Sequence, residues 1–148
     1  MINQINGCLW NAGGLSTEKL KWLMAISHQF SIDVFFLTEV HDYTTVPYDH
    51  SWNLITNNSK YHGTGILYKK HLDVQVRSKS TDSRTMNIKI NNLKIVLSYW
   101  PASGPKDRLT FFNKHLFSFR TADIILGDFN FTVSNIRDRI GLTLIFCK

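Results

Sequence analysis

The segment Ile125-Leu126-Gly127-Asp128-Phe129-Asn130 (ILGDFN) ends an apolar run with an acid and an amide two positions apart. In an extended strand successive side chains alternate between the two faces. Asp128 and Asn130 are therefore predicted to point to one side while Phe129 turns away. Two strongly polar groups on the same side at the end of a buried strand are typical of a functional site.

The first third of the chain is predicted to form a strand, a helix and a second strand. A strand over residues 5–11 precedes a helix that Ser16 or Thr17 caps and that runs to His28. Residues 32–39 form a nearly continuous apolar run, as expected of a strand that is covered on both faces. This run ends on the carboxylate of Glu39.

The middle of the chain is predicted to be antiparallel, with Asn91-Asn92 as a hairpin turn. Its strands are expected over residues 51–56, 63–68, 72–77, 85–90 and 93–100.

A second helix is predicted from Pro105 to about Phe119, because proline suits the first turn of a helix. Its apolar stripe consists of Leu109, Phe112, Leu116 and Phe119. A buried strand over residues 122–128 follows. This order of elements predicts one domain of mixed α/β class, with helices covering sheets.

Composition favours a folded chain without a membrane segment. The 148 residues are 43% hydrophobic and 19% charged, which is typical of a globular domain. The first residues lack the pattern of a signal peptide, and no apolar run approaches the ~18 residues of a membrane span, so we expect an intracellular protein. Cys8 and Cys147 are interpreted as reduced thiols, and the spacing of the six histidines does not indicate a structural zinc site.

The positive charge lies in the later two thirds of the chain. Residues 1–50 hold two lysines against five acidic residues, whereas residues 51–148 hold fifteen basic residues against six acidic ones. The resulting net charge of +6 favours a polyanionic partner such as nucleic acid, since lysine and arginine release counterions when they neutralise phosphates.

Four predicted strands end in a polar residue, and strand ends are where ligands collect in α/β folds. These residues are Asn11, Glu39, Tyr99 and Asp128, the last with Asn130 nearby. Carboxylates suit Mg²⁺, amides can orient a water or a phosphoryl oxygen, and a tyrosine can donate to a phosphate. Purely structural interpretations stay open for single residues: Asn11 can start the turn before Gly13-Gly14, Glu39 can cap the next segment, and Asp128 can be a turn residue.

Taken together, these segments resemble the endonuclease/exonuclease/phosphatase family, and within it the endonuclease domain of non-LTR (LINE-type) retrotransposons, which accompanies a reverse transcriptase. The resemblance runs from about residue 8 to residue 141. The matching segments are LWNAGGL (9–15) with the helix after it, DVFFLTEVH (33–41), GTGILYKK (63–70), SRTMNIKI (83–90), IVLSYWPAS (95–103), the FFNKHL helix region (111–116), IILGDFN (124–130) and RDRIG (137–141).

The resemblance implies a four-layer α/β sandwich that hydrolyses phosphodiesters with Mg²⁺, or alternatively Mn²⁺. Glu39 matches the metal-binding glutamate, and Asn11 the asparagine that supports the metal and the nucleophile. Asp128 matches the aspartate that orients or activates the attacking water, with Asn130 as its partner on the phosphate. Tyr99 matches a tyrosine that contacts that phosphate. Arg84 lies near the family's Gly-Arg position, where the arginine either contacts the nucleic-acid backbone or braces the sheet.

The sequence also departs from the family pattern. Gly13 stands where relatives often have an acidic or amide residue, and no histidine follows His115, although the family has a later aspartate and a terminal Ser-Asp-His motif. The expectation is a C-terminally truncated domain, whose incomplete sheet packing and 19 aromatic residues favour self-association. Recruitment of His41 or His115 in place of the missing histidine is the less economical alternative.

Three functions remain open from the sequence. The first is a metal-dependent DNA endonuclease domain, nuclear if derived from a retrotransposon and impaired by the missing C-terminal segment. The second is a phosphatase or other phosphodiesterase of the same superfamily. The third is a non-catalytic remnant that binds metal or nucleic acid weakly.

Overall fold

The computed structural model describes residues 4–43, 49–130 and, for the backbone alone, 146–147. The described strands are β1 (Gly7–Asn11), β2 (Val34–Thr38), β3 (Trp52–Asn58), β4 (Gly63–Lys69), β5 (Val74–Lys79), β6 (Thr85–Ile90), β7 (Leu93–Tyr99), β8 (Ile124–Asp128) and β9 (Phe146–Cys147). The described helices are α1 (Thr17–Phe30), α2 (Pro105–Lys114) and α3 (Leu116–Thr121).

The strands form two mixed sheets. The first sheet has four strands in the order β1-β2-β4-β3, and the second has five in the order β5-β6-β7-β8-β9. One neighbouring pair in each sheet is parallel, β1 with β2 and β7 with β8, and the remaining pairs are antiparallel. Strands β3 to β7 therefore confirm the antiparallel middle predicted from the sequence.

The two sheets pack face to face, with a helical layer on the outer side of each. Leu20 and Leu23 of α1 pack on Phe35 and Leu37 of β2. The alternate residues of β2 turn the other way, so Phe36 joins the apolar cluster between the sheets. On the outer face of the second sheet, a third cluster contains Val96, Phe111, Phe119 and Ala122. This four-layer α/β arrangement confirms the predicted fold class.

Helix α1 has the start that its sequence predicts. Ser16 is the N-cap, and its hydroxyl oxygen accepts a hydrogen bond from the Lys19 amide at 3.2 Å. The helix extends two residues past His28 and ends where Ser31 takes a left-handed conformation with φ 52°. The hairpin at Asn91-Asn92 is also confirmed, since Ile90 pairs with Leu93 across it.

The single helix predicted for residues 105–119 is wrong. The chain forms two helices that meet at His115, whose φ of −105° and ψ of 10° leave the helical range. His115 lies inward, with its ring centroid 4.5 Å from that of Phe111. The predicted apolar stripe is wrong in its first half, Leu109 and Phe112, which lies before the break, whereas Phe119 is buried as predicted. Leu109 is 61% exposed, and Phe111 is buried in its place.

Several sequence predictions concern residues outside the described part of the chain. The residues concerned are the segment 137–141 and the side chain of Cys147. Cys8 is described and is a free, half-buried thiol, whose pKa burial raises. Among the helices of the described residues, none has the length and apolar character needed to cross a lipid bilayer.

Candidate active site

Asn11 lies between the two acidic side chains predicted for the site. Its amide nitrogen Nδ2 donates to Glu39 Oε1 at 2.9 Å and to Asp128 Oδ2 at 3.2 Å. Its own oxygen, Oδ1, accepts the backbone N–H of Gly13 at 3.0 Å. All the polar atoms of the Asn11 side chain are therefore engaged, and one amide group joins a carboxylate from each sheet.

Strand register explains why these side chains meet. Asn11 ends β1 opposite Thr38, the last residue of the parallel strand β2, and Glu39 follows directly with a left-handed φ of 53°. In the second sheet Tyr99 ends β7 opposite Asp128, the last residue of β8. The carboxyl ends of both parallel pairs thus lie at the same edge of the sandwich, which confirms the predicted convergence of the four strand ends.

Tyr99 joins the two sheets a second time. Its hydroxyl donates to Glu39 Oε1 at 2.9 Å, so this oxygen accepts from both Tyr99 and Asn11. Burial raises the pKa of the Tyr99 hydroxyl, and the hydrogen bond to Glu39 and the negative charge of Glu39 raise it further. Tyr99 is consequently a hydrogen-bond donor throughout the neutral pH range.

Asn130 reaches the site by a route that differs from the one predicted. The strand ends at Asp128, and Asn130 returns to the same side through a turn in which its φ is 48°. Its backbone N–H donates to Asp128 Oδ1 at 3.0 Å, and its Nδ2 donates to the Trp100 carbonyl at 2.6 Å. Strand alternation is therefore the wrong reason for the shared orientation, because an Asp side chain commonly forms such a turn with the residue two positions later.

Gly127, in strand β8 directly before Asp128, is needed for close strand pairing. A Cβ atom at this position would overlap the carbonyl oxygen of Ser98 on the neighbouring strand β7. Glycine therefore allows β8 to pair closely with β7 just before the strand delivers Asp128.

Arg84 and His62 both lie close to the ring of Tyr99, the predicted phosphate-contacting tyrosine. The Arg84 guanidinium carbon is 5.1 Å from the centroid of the Tyr99 ring, and its Nη1 donates to the Tyr99 carbonyl at 3.3 Å. The His62 ring centroid lies 6.5 Å from that of Tyr99. Burial lowers the pKa of His62, the charge of Arg84 lowers it further, and the hydrogen bond from Nε2 to the Asp82 carbonyl partly offsets both effects.

Asp82 fixes the loop that leads to Arg84. Its carboxylate accepts from Lys114 Nζ at 2.7 Å, from Ser80 Oγ at 2.5 Å and from the Arg84 backbone N–H at 3.2 Å. His115 Nε2 lies 3.4 Å from the same carboxylate. Burial alone would raise the pKa of Asp82, but these hydrogen bonds outweigh it and hold the pKa well below its usual range.

The structure places the remaining predicted residues near the site but not within it. The ring of His41 packs against Gly14, where an added Cβ would approach Nδ1 to 3.1 Å. His115 is separated from Tyr99 by Asp82 and Arg84. His62, Asp82 and Lys19 were missed by the sequence reasoning, and the only available signal was that His62 directly precedes the strand GTGILYK.

The donor set at the strand ends suits a hard divalent cation. Glu39 and Asp128 supply carboxylate oxygens, whereas the Asn11 oxygen accepts the Gly13 N–H and only the Asn11 nitrogen faces the site. Mg²⁺ is commonly held by one or two carboxylates together with waters and substrate phosphate. Within the described ranges, no group of three or more His, Cys, Asp or Glu residues could hold a metal ion. The arrangement thus fits Mg²⁺ or Mn²⁺ with an open coordination sphere and does not fit a structural zinc site.

Known structures share this architecture. An AP endonuclease from Archaeoglobus fulgidus superposes with a TM-score of 0.63 at 14% identity, covering 90% of this chain and 60% of that one. The 3′ phosphatase NExo from Neisseria, bound to a product DNA hairpin, gives 0.61 at 14% identity, with coverages of 86% and 58%. TDP2 from D. rerio, in complex with a single-strand DNA product, gives 0.54 at 18% identity, with coverages of 84% and 60%.

The chain has the endonuclease/exonuclease/phosphatase fold. The neighbours fit that superfamily, and at these identities the likeness shows the fold alone. This chain spans at most 60% of the length of the three structures. No sequence model of a protein family and no curated protein sequence matches it.

Proposed function

We propose that this chain is a Mg²⁺-dependent phosphodiesterase domain that acts on DNA. The proposal is carried by one observation: the Asn11 amide joins Glu39 and Asp128 at the edge where both parallel strand pairs end. A half-buried pair of carboxylates beside a tyrosine donor is suited to binding a cation and a phosphate together. Mn²⁺ would suit the same oxygen donors.

Each residue has a role that follows from its contacts. Glu39 would hold the cation, since its Oε2 receives no hydrogen bond from the described residues. The Asn11 amide would orient the Glu39 carboxylate. Bound Mg²⁺ would supply Lewis-acid polarisation of a phosphoryl oxygen. Asp128 would orient the attacking water and accept its proton. On substrate binding the Tyr99 hydroxyl would turn from Glu39 Oε1, and the second N–H of Asn130 from the Tyr99 oxygen, to donate to phosphate oxygens.

DNA is the proposed substrate because of charge and because of the fold neighbours. Arg84 lies beside Tyr99, Lys114 at the end of α2 contacts the Asp82 carboxylate, and the chain has a net charge of +6. Two of the compared structures contain a DNA product. Sequence resemblance further suggests the endonuclease domain of a LINE-type retrotransposon, and a nuclear location would follow from that origin.

The test is nicking of supercoiled plasmid by the purified chain in Mg²⁺, Mn²⁺ or EDTA. We expect nicking in either metal and loss of at least 100-fold in rate for Glu39→Gln and Asp128→Asn, because each removes a group placed at the reacting phosphate. Glu18→Gln is the matched control, since Glu18 is exposed in the first turn of α1 and should retain full activity.

Cation binding gives an independent measurement on the same samples. Mg²⁺ should raise the unfolding temperature of the wild type and of Glu18→Gln but not that of Glu39→Gln. A folded chain with neither nicking nor cation-dependent stabilisation would contradict the proposal. Stabilisation without nicking would support the non-catalytic alternative, and hydrolysis of a small phosphomonoester without nicking would support the phosphatase alternative.

A further inference from the structure

The side chain of Lys19 reaches from α1 to the turn that follows Asn11. Its ammonium nitrogen donates to the carbonyl oxygens of Ala12 at 2.6 Å, Gly14 at 2.8 Å and Gly13 at 3.3 Å. An ammonium group has three N–H donors, so these carbonyls use all of them. The nitrogen also lies 6.0 Å from the Trp10 ring centroid, which adds a weaker attraction.

The three carbonyls converge because the backbone of the turn is tied to the loop after β2. The N–H groups of Ala12, Gly14 and Leu15 donate to the carbonyls of residues 38, 39 and 40 at 2.8, 2.8 and 3.1 Å. With these N–H groups fixed on one side, and with positive φ at Gly13 and Gly14, the carbonyls turn to the other side. Their negative ends would repel one another without a cation between them.

The same turn sets the orientation of Asn11. The Gly13 N–H donates to Asn11 Oδ1, which leaves Nδ2 directed at Glu39 and Asp128. If the turn opened, this hydrogen bond would be lost and the Asn11 amide could rotate away from the two carboxylates. Lys19 donates to the turn carbonyls and to neither carboxylate, so any effect of Lys19 on the geometry of the site would pass through the turn.

We propose that Lys19 is a positioning residue that keeps Asn11 between Glu39 and Asp128 and thereby sets the affinity of the site for a divalent cation. This inference rests on the proposed metal-dependent function. A nearby positive charge would by simple repulsion weaken cation binding, so the two effects of Lys19 have opposite signs. We expect the geometric effect to be the larger one, because all three N–H groups are directed at the turn that orients Asn11.

The proposal is tested by Mn²⁺ binding to the full chain, followed by the loss of the free-ion electron paramagnetic resonance signal. Lys19→Met keeps the length of the side chain and removes its charge and donors, and we expect at least tenfold weaker binding. Lys19→Arg should bind with intermediate affinity, since a planar guanidinium cannot direct three N–H groups from one atom. This second variant keeps the test informative if Lys19→Met does not fold.

Two controls separate positioning from general destabilisation. Leu23→Ala removes a buried side chain of α1 that makes no hydrogen bond to the turn, so it should lower the unfolding temperature yet bind Mn²⁺ like the wild type below that temperature. Lys70→Met removes an exposed lysine outside the site and should change neither the unfolding temperature nor the Mn²⁺ affinity. Equal losses of affinity in Lys19→Met and Leu23→Ala would overturn the positioning role.

The outcomes also distinguish this inference from the proposed function. Binding that is lost in Glu39→Gln but unchanged or tighter in Lys19→Met would overturn the role of Lys19 alone. No Mn²⁺ binding by the folded wild type would overturn both.

Discussion

Asn11 shows how one residue can combine a structural and a functional interpretation. Its oxygen accepts the Gly13 N–H and forms the turn, as the structural interpretation requires, while its nitrogen donates to both carboxylates. Sequence alone leaves these two interpretations as alternatives because the asparagine is followed by a glycine pair, which is a common turn signal. The structure shows that the turn is what directs the amide at the site.

Thr38 gives a prediction at the scale of one atom. Its side chain is 1% exposed, and its Oγ1 has no hydrogen-bond partner among the described residues. Thr38→Val should therefore leave the free energy of unfolding unchanged or raise it by up to about 1 kcal/mol, because a buried hydroxyl without a partner is unfavourable. Urea unfolding at neutral pH measures the change.

Thr64 is the matched control, since it lies directly opposite Thr38 in the register of β2 and β4 and is equally buried. Its hydroxyl donates to the Ser83 carbonyl at 3.5 Å, so Thr64→Val should be destabilising. If Thr38→Val proved the more destabilising of the two, the Thr38 hydroxyl would have a partner such as a buried water.

The contact between Asp82 and the ends of α2 and α3 joins a helical layer to the loop that carries Arg84. Because the pKa of Asp82 is lower in the folded state than in the unfolded chain, its stabilising contribution is fully present above the unfolded value of about 4 and is lost as the pH falls below it. Asp82→Asn should therefore cost roughly 1–3 kcal/mol of unfolding free energy at pH 7. The difference from the wild type should narrow below about pH 4.

Denaturant unfolding at pH 7, 5 and 3.5 measures this dependence. Asp107→Asn is the control, because Asp107 is exposed in the first turn of α2 and has a small expected effect at every pH. A difference between wild type and Asp82→Asn that stayed constant or widened in acid would contradict the assignment.

At the scale of the whole molecule, sequence patterns predicted the layers well and the irregular segments poorly. The apolar run before Glu39 and the ILGDFN segment identified two central strands, and their polar ends identified the site. The break at His115 was missed because the contacts that favour it come from Asp82, 33 residues away in sequence. Lys19 was missed for a similar reason, since convergence of the three carbonyls depends on pairing with β2 and not on local sequence.

Self-association stays a prediction at this scale. Leu109 and Phe117 are 61% and 81% exposed on the outer helical layer beside the second sheet. Exposed apolar surface of this kind favours association, so we expect the apparent mass to rise with protein concentration in sedimentation experiments. The double substitution Leu109→Lys/Phe117→Lys should reduce this rise in apparent mass.

Thr110→Lys is the control, because it adds a positive charge on α2 beside Leu109 without removing apolar surface. This variant should associate like the wild type. A wild-type chain that sediments as a monomer at every concentration would contradict the expectation.

The hydrogen bond between Asn11 and Asp128 joins residues 117 positions apart in the chain. A ribosome that adds roughly 5–20 residues per second would need about 6 to 23 seconds after Asn11 to synthesise Asp128. During that interval the nascent chain can form β1, α1 and β2, but Asn11 has only one of its two carboxylate partners. Assembly of the site is therefore coupled to the arrival of β8, and any nascent chain released before that strand would have a first sheet without a complete site.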